Sequence, residues 1–275
     1  MKLLLMGQQV IDILLQSLKD NVKKVLKRDG NAETTDEAKI VHQLLDRLGY
    51  QGVMIDVGAH FGGTLVRFAR RGWIVYAFEP DENNRSVLLK KFNHRKNVHI
   101  SELAVSNKTE ENVNFFSSPE STGISGLLSF QESHVLSQQV TTTTLDAIIQ
   151  DHQIETIDFL KIDTEGFDLF VLEGFPWFEH PHPRVVICEF EDRKTKHLGY
   201  TSIALADFLL EKGYKILVSE WYPIEQYGDS HQWKRFFIYS QSSDSTIDSD
   251  AWGNFIAVHE STTFDALVQL TQSKG

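Results

Sequence analysis

Val53-Met54-Ile55-Asp56-Val57-Gly58-Ala59-His60-Phe61-Gly62-Gly63-Thr64 carries the information that decides the fold. It opens on a short apolar run without helical spacing, turns on glycines, and passes into a helical pattern over 64–71. That is a strand, a tight loop and a helix. Glycine lets the loop turn sharply and lets a ligand approach the backbone without a Cβ in the way. The new helix offers unpaired N–H groups at its start. A loop of this kind, at the carboxyl end of a strand, is where open α/β sheets bind ligands.

Outward from this unit the alternation repeats. Trp73-Ile74-Val75-Tyr76-Ala77-Phe78, Asn97-Val98-His99-Ile100, Ile157-Asp158-Phe159-Leu160-Lys161-Ile162 and Arg184-Val185-Val186-Ile187-Cys188 read as further strands. Helical patterns cover 82–92, 168–173 and 202–212. Near-continuous apolar strands separated by helices predict a parallel sheet covered on both faces. Strands at 215–219 and 254–258 follow the last of these helices. Two stretches break the alternation. Residues 103–144 hold strand-like pieces at 113–116 and 139–144 around a Ser/Gly-rich loop, with the four threonines 141–144 read as β-branched strand residues. Residues 221–253 are rich in aromatic side chains and expected to hang over the active edge of the sheet. Trp221, Tyr222, Tyr227, Trp233, Phe236 and Phe237 there suit either a sugar or flat organic acceptor or plain packing of the last strands, with 236–239 itself strand-like.

The first 49 residues read as an N-terminal helical extension. Val10, Ile11, Leu14, Leu15 and Leu18 recur at helical spacing, and so do Ile40, Val41, Leu44, Leu45 and Leu48. Thr34, Thr35 and Asp36 are N-cap candidates for the second helix, and Gly49 is its stop. These amphipathic helices suit packing on the core or pairing two copies into a homodimer. Residues 50–275 then form one α/β domain.

Composition excludes more than it proposes. The 275 residues carry 27 Lys and Arg against 38 Asp and Glu, a net charge of −11. That disfavours nucleic acid, whose partners carry a basic stripe, and anionic membrane surfaces. The single cysteine, Cys188, allows no internal disulfide and no Cys-rich zinc site. The opening Met1-Lys2-Leu3-Leu4-Leu5-Met6 is interrupted by Gln8, Gln9 and Asp12, too early for a signal peptide. No segment reaches the length of a membrane span, so the expected location is cytoplasmic.

The glycines at 58, 62 and 63 match neither the G-x-G-x-x-G of nicotinamide proteins nor a P-loop. Asp56, two residues before the first glycine, suits a ligand carrying an ammonium group rather than a pyrophosphate. Glu79 stands 21 positions after Gly58, at the end of the second strand, where a carboxylate accepts both hydroxyls of a ribose. Asp81, after Pro80, is placed to cap the next helix. Asp56, the wide glycine spacing and Glu79 together fit S-adenosylmethionine, against a bland alternative of a structural turn plus a surface glutamate.

Asp56-Val57-Gly58-Ala59-His60-Phe61-Gly62, Phe78-Glu79-Pro80, Leu103-Ala104-Val105-Ser106-Asn107 and Asp158-Phe159-Leu160-Lys161-Ile162-Asp163-Thr164-Glu165-Gly166, followed by Val171-Leu172-Glu173-Gly174, resemble the FkbM family of class I methyltransferases over about residues 50–195. The resemblance implies a Rossmann-like sheet and O-methylation of a hydroxyl, often on a sugar or natural product, with S-adenosylmethionine as donor. Carried over by position, it implies that Asp56, Gly58, Ala59, His60 and Gly62 cradle the methionine part, that Glu79 holds the ribose, and that Glu102 and Ala104 meet the adenine edge. His60 departs from the Asn usual in the family, and Glu102 from a neutral or amide residue.

Methyl transfer to an alcohol needs positioning of two partners and a base or a metal at the acceptor oxygen. Candidates cluster where the fourth and fifth strands end. Asp163 emerges beside the cofactor crevice, where it also serves as a cofactor contact. Glu165 lies near a helix N-terminus, and Glu189 at the same sheet edge. His60 is a fourth candidate base, and Lys161 reads as a structural ion-pair partner. Asp163, Glu165 and Glu189 have the oxygen chemistry for Mg²⁺, but acids at strand ends equally serve hydrogen bonding, and the metal-free reading is preferred. His180 and His182 sit in a proline-fixed linker without further ligand spacing, and Cys188 reads as a buried strand residue. The expected partner is a small-molecule or glycan acceptor. An amine or carboxylate acceptor, or a non-catalytic nucleotide- or metabolite-binding module, remain the alternatives.

Overall fold

The computed structural model describes residues 35–119, 121–224, 231–241 and 246–272. The first expected helix, with Val10 to Leu18, and Tyr227 lie outside the described residues. An eight-stranded sheet organises the rest. Its strands are β1 (Val53–Val57), β2 (Ile74–Phe78), β3 (Val98–Ser101), β8 (Phe159–Ile162), β9 (Val185–Glu191), β10 (Lys215–Trp221), β11 (Trp233–Ile238) and β12 (Trp252–Val258), in the spatial order β11-β10-β12-β9-β8-β1-β2-β3. This is the expected Rossmann-like sheet, with β12 wedged antiparallel between β9 and β10.

The parallel half runs β3-β2-β1-β8-β9. The order reverses at β1, where β2 pairs on one side and β8 on the other. Strand register sets the level at which each chain leaves the sheet. Val57 is opposite both Phe78 and Ile162, and Ile162 is opposite Cys188. Gly58, Glu79 and Asp163 therefore leave three adjacent strands at one level, and Glu189 stands at that same level inside β9. β11 and β12 run antiparallel to β10, and among the described residues no helix lies between β10 and β12 of the kind that parallel pairing needs.

Helices α2 (Val66–Arg70), α3 (Glu82–Phe92), α5 (Asp168–Glu173) and α7 (Ser202–Glu211) stand near their expected places. Asp81 caps α3 by accepting from the N–H groups of Asn83 (2.9 Å) and Asn84 (3.0 Å). Two helices carried no strong periodic signal and appear only in the structure: α4 (Leu145–His152) and the C-terminal α8 (Ser261–Gln272). A short α6 (Asp192–Thr195) follows β9. Helix α1 (Glu37–Arg47) has Asp36 as N-cap, and Gly49 adopts the left-handed φ (+76°) just past its end. Ile40, Val41, Leu44 and Leu45 are buried with Phe68, Phe264 and Leu267, so residues 37–47 pack into the core of the sheet domain rather than standing apart from it.

Residues 103–144 form two small sheets. β4 (Ala104–Val105) pairs with β7 (Thr142–Thr143), and β5 (Val113–Ser117) pairs antiparallel with β6 (Val135–Val140). Of the four threonines, 142 and 143 are strand residues. Thr144 instead caps α4, its hydroxyl accepting from the Ala147 N–H at 3.1 Å. Of the two readings of the aromatic stretch 221–253, its described part follows plain packing of the last strands. It adds β11 to the sheet as an edge strand, Trp221 and Trp233 hydrogen-bond to buried partners in the sheet region, and Phe236 and Phe237 pack on the two core clusters. Backbone pairing with β10 satisfies this segment and holds those side chains away from the strand ends near β1. Among the described residues, no helix is long and apolar enough to cross a membrane.

Candidate active site

A crevice opens over the carboxyl ends of β1, β2 and β8. Its enclosed space is about 140 Å³. Gly58, His60, Glu79 and Asn84 line one part, Asp163, Thr164 and Glu165 another. Leu103, Ala104, Val105, Phe78 and Phe115 give it apolar walls, and residues 122–127 of the insertion close over it.

The glycine loop is shaped by contacts that leave no room for a side chain. Gly58 has φ +75°, and a Cβ there would collide with the carbonyl of Asp163. Lys161 lies between the strands. Its ammonium donates to the Gly58 carbonyl at 2.9 Å and pairs with Asp163 (3.1 Å) and Asp56 (3.5 Å). Burial pushes the Asp56 carboxyl up to about 6. Asp56 is fully buried, neither of its oxygens has a hydrogen-bond partner, and its side chain does not line the crevice. Burial acts the same way on Asp163, but Lys161 and then Lys194 outweigh it and hold that carboxyl below its usual range.

Ala59 and Gly62, expected to meet a ligand, face the other way. Ala59 is buried in the cluster that holds Leu88 and Phe92, and a Cβ on Gly62 would strike those same two side chains. Their smallness seats the loop on α3. His60 does line the crevice. Its Nε2 is 3.0 Å from the Thr122 hydroxyl, its backbone takes φ +47°, and burial lowers its pKa, which favours the neutral imidazole.

Glu79 is buried at the end of β2. Its Oε2 accepts from the His60 N–H at 2.6 Å and its Oε1 from the Asp81 N–H at 3.0 Å. Burial raises this carboxyl to about 7, against the pull of those two donors. Ala104 lines the crevice as expected, but Glu102 does not: its side chain is exposed and pairs with Arg85 at 3.4 Å. Glu102 stands just past β3 in the link to β4, where no strand period fixes the direction of its side chain.

At the end of β8, Glu165 adopts φ +56° and lines the crevice with a carboxyl raised by burial to about 7. Behind it lies Lys194, 2% exposed, with its ammonium 2.7 Å from Glu165, 2.8 Å from Glu189 and 3.0 Å from Glu191. Glu189 is held by that lysine and does not line the crevice; burial pushes its carboxyl well up. Asp168 accepts from the Thr164 hydroxyl (2.7 Å) and N–H and from the Glu189 N–H (2.8 Å), tying the loop after β8 to β9. Lys194 and Asp168 escape a reading of the sequence because neither lies in a recognisable motif. Oxygens of Asp163, Glu165 and Glu189 come within 4.8 Å of one another, close enough to share a cation. The Lys194 ammonium already sits against two of them.

A family model, the Methyltransferase FkbM domain, matches residues 56–216, more than half of the chain. The chain belongs to that family. As an FkbM methyltransferase it uses S-adenosylmethionine, in agreement with the crevice at the strand-order reversal. Solved structures similar to this FkbM protein are distant. An O-methyltransferase from Bacillus cereus in complex with SAH is 13% identical over 92% of this chain and 96% of that one, with a TM-score of 0.42. A precorrin-6y C5,15-methyltransferase from Geobacter metallireducens is 13% identical over 83% and 90%, with a TM-score of 0.41. A putative RNA methyltransferase from Pyrococcus horikoshii is 13% identical over 81% and 83%, with a TM-score of 0.38. No curated protein matches the chain.

Proposed function

We propose that this methyltransferase acts on a hydroxyl oxygen of a carbohydrate or glycosylated natural product. The observation that supports it most is Glu165: a crevice-lining carboxyl raised to about 7 beside Asp163. General bases work best with a pKa near the working pH, and an alcohol needs one. A carboxylate acceptor needs none, and it would meet the negative charge of Asp163 and Glu165.

The residues divide the work. Glu79 binds the ribose diol, since each of its oxygens keeps a lone pair after accepting one N–H. Gly58 brings the backbone close to the donor, and Leu103 and Ala104 flank the base. Asp163, held charged by Lys161, faces the donor's cationic end, and Glu165 takes the acceptor proton on Oε1, the oxygen not paired with Lys194. His60 serves as wall and latch, and Glu189 acts through Lys194. When bound, S-adenosylmethionine supplies a methyl group made electrophilic by its sulfonium. No metal is required in this scheme, because Lys194 provides the buried positive charge.

Methyl-labelled S-adenosylmethionine offered with a panel of glycosides, amines and carboxylic acids tests the proposal. The label should appear on a glycoside oxygen. Glu165→Gln should then lower kcat about 10²–10⁴-fold with unchanged affinity for S-adenosylhomocysteine. Label on nitrogen or carboxylate would overturn the acceptor assignment.

A further inference from the structure

The crevice satisfies its polar groups unevenly. Asn84, in the first turn of α3, is 2% exposed and lines the crevice. Its Nδ2 donates to the Thr122 carbonyl at 3.1 Å, which fixes the orientation of the amide. Its Oδ1 is then buried with no hydrogen-bond partner. Buried polar atoms are nearly always paired, and an unpaired one in a cavity marks a missing partner. A carbonyl oxygen can only accept, so that partner is an N–H or O–H donor.

The nucleoside end of the methyl donor has three donor groups, two ribose hydroxyls and the exocyclic amine of adenine. Glu79 has two free lone-pair positions, one on each oxygen, and these match the diol. Two unpartnered oxygens in the wall, Asn84 Oδ1 and Ser125 Oγ, and one donor group on the nucleoside are left over; a hydroxyl can donate as well as accept, whereas the amide oxygen can only accept. Glu102, which position alone assigned to the adenine edge, is outside the crevice and paired with Arg85. The apolar faces of Leu103, Ala104 and Phe115 give the base its flat walls.

We propose that Asn84 is the adenine-reading residue of this enzyme, its Oδ1 accepting from the exocyclic amine. The same amide pins residues 121–127 through Thr122, which His60 also holds. Recognition of the base and closure of the insertion are thus joined in one side chain. The inference rests on the placement of the ribose at Glu79 and on the shared donor, not on the acceptor.

Calorimetric titration of the full chain tests it, with S-adenosylhomocysteine and its analogue carrying purine in place of adenine, which lacks only the amine. Wild type should bind the adenine compound about 10-fold more tightly, the value of one hydrogen bond to a buried acceptor. Asn84→Leu should bind both alike, at the wild-type affinity for the purine compound or below. Should the leucine variant not fold, Asn84→Ser runs the same comparison. Equal binding of both compounds by wild type overturns the assignment. So does an equal weakening of both by the variant with the 10-fold preference intact, which would mean that Asn84 acts only through the insertion. If wild type binds neither compound, the nucleoside site itself is misplaced and Glu79→Ala will be silent too.

Discussion

Two regions of the molecule bury carboxylates, and they treat them in opposite ways. At the β10–β11 edge, Glu37 accepts from the Ser219 hydroxyl (2.6 Å) and the Trp221 indole N–H (2.9 Å). Glu220 is fully buried there and is met by Arg235 (2.6 Å), Lys234 (3.2 Å) and the Asp248 N–H (2.9 Å). Charge and hydrogen bonds close within the protein. Over β1, β2 and β8 they do not. Asn84 and Ser125 keep buried oxygens without hydrogen-bond partners, and His60 and Glu165 hold left-handed backbones outside glycine. Unpaired polar atoms and strained backbone are unfavourable unless a ligand or a reaction uses them. The far edge is built to be stable by itself, and the crevice is built to be completed.

The contrast can be broken first at Lys194, where the crevice region resembles the far edge. Lys194→Met leaves Glu165, Glu189 and Glu191 buried around an apolar side chain. Removing one partner of a buried ion pair is strongly destabilising, so urea unfolding at pH 8 should lose about 3–5 kcal/mol. The sign of the pH dependence comes from the raised carboxyls. The folded form of Glu165 binds its proton more tightly than the unfolded chain does, so its contribution to stability falls as pH rises through about 7. The deficit of the variant should therefore shrink toward pH 5. A deficit under 1 kcal/mol would mean that the ammonium is not what holds the three carboxylates.

Next in size is Glu79→Ala. It should weaken S-adenosylhomocysteine about 10–100-fold, the range of hydrogen bonds to a charged group, and reduce the ligand's stabilisation of the fold accordingly. In wild type the affinity should rise with pH through about 7, because deprotonation of Glu79 frees both oxygens as acceptors. Titration calorimetry between pH 5.5 and 8.5, on either side of that pKa, checks both, and a flat profile would remove the ribose from Glu79. The smallest effect belongs to the far edge. Glu37→Gln keeps an acceptor oxygen for Ser219 and Trp221, so stability should change by less than about 1 kcal/mol and ligand affinity not at all. A loss of affinity would show that the two regions are coupled.

Much of the crevice is legible in the amino-acid sequence. Gly58 and Glu79 stand where motif spacing put them, and Asp163 and Glu165 line the site as the end of an apolar strand suggested. The residues that sequence misplaced share a cause. Ala59 and Gly62 belong to the same motif as Gly58, but their side of the loop faces Leu88 and Phe92. Glu102 and Ala104 are two apart, and only Ala104 lines the crevice, because Glu102 lies in the link between β3 and β4 while Ala104 opens β4. Asn84 looks like an ordinary polar residue in a helix, and Ser125 like one more serine in a loop. Glu189 sits at the expected level of the sheet, yet its carboxylate turns to a lysine five positions on.

Local pattern was enough for the alternation of strands and helices, the glycine turn and the acid after β2, because period and backbone conformation depend on neighbours in the chain. Tertiary packing alone decided which polar atoms are left unpaired, which acids share Lys194, and which of its two readings the aromatic segment follows. Those outcomes depend on atoms brought together from distant positions, such as Gly58 with Lys161 or Asn84 with Thr122, and no local period encodes such a meeting.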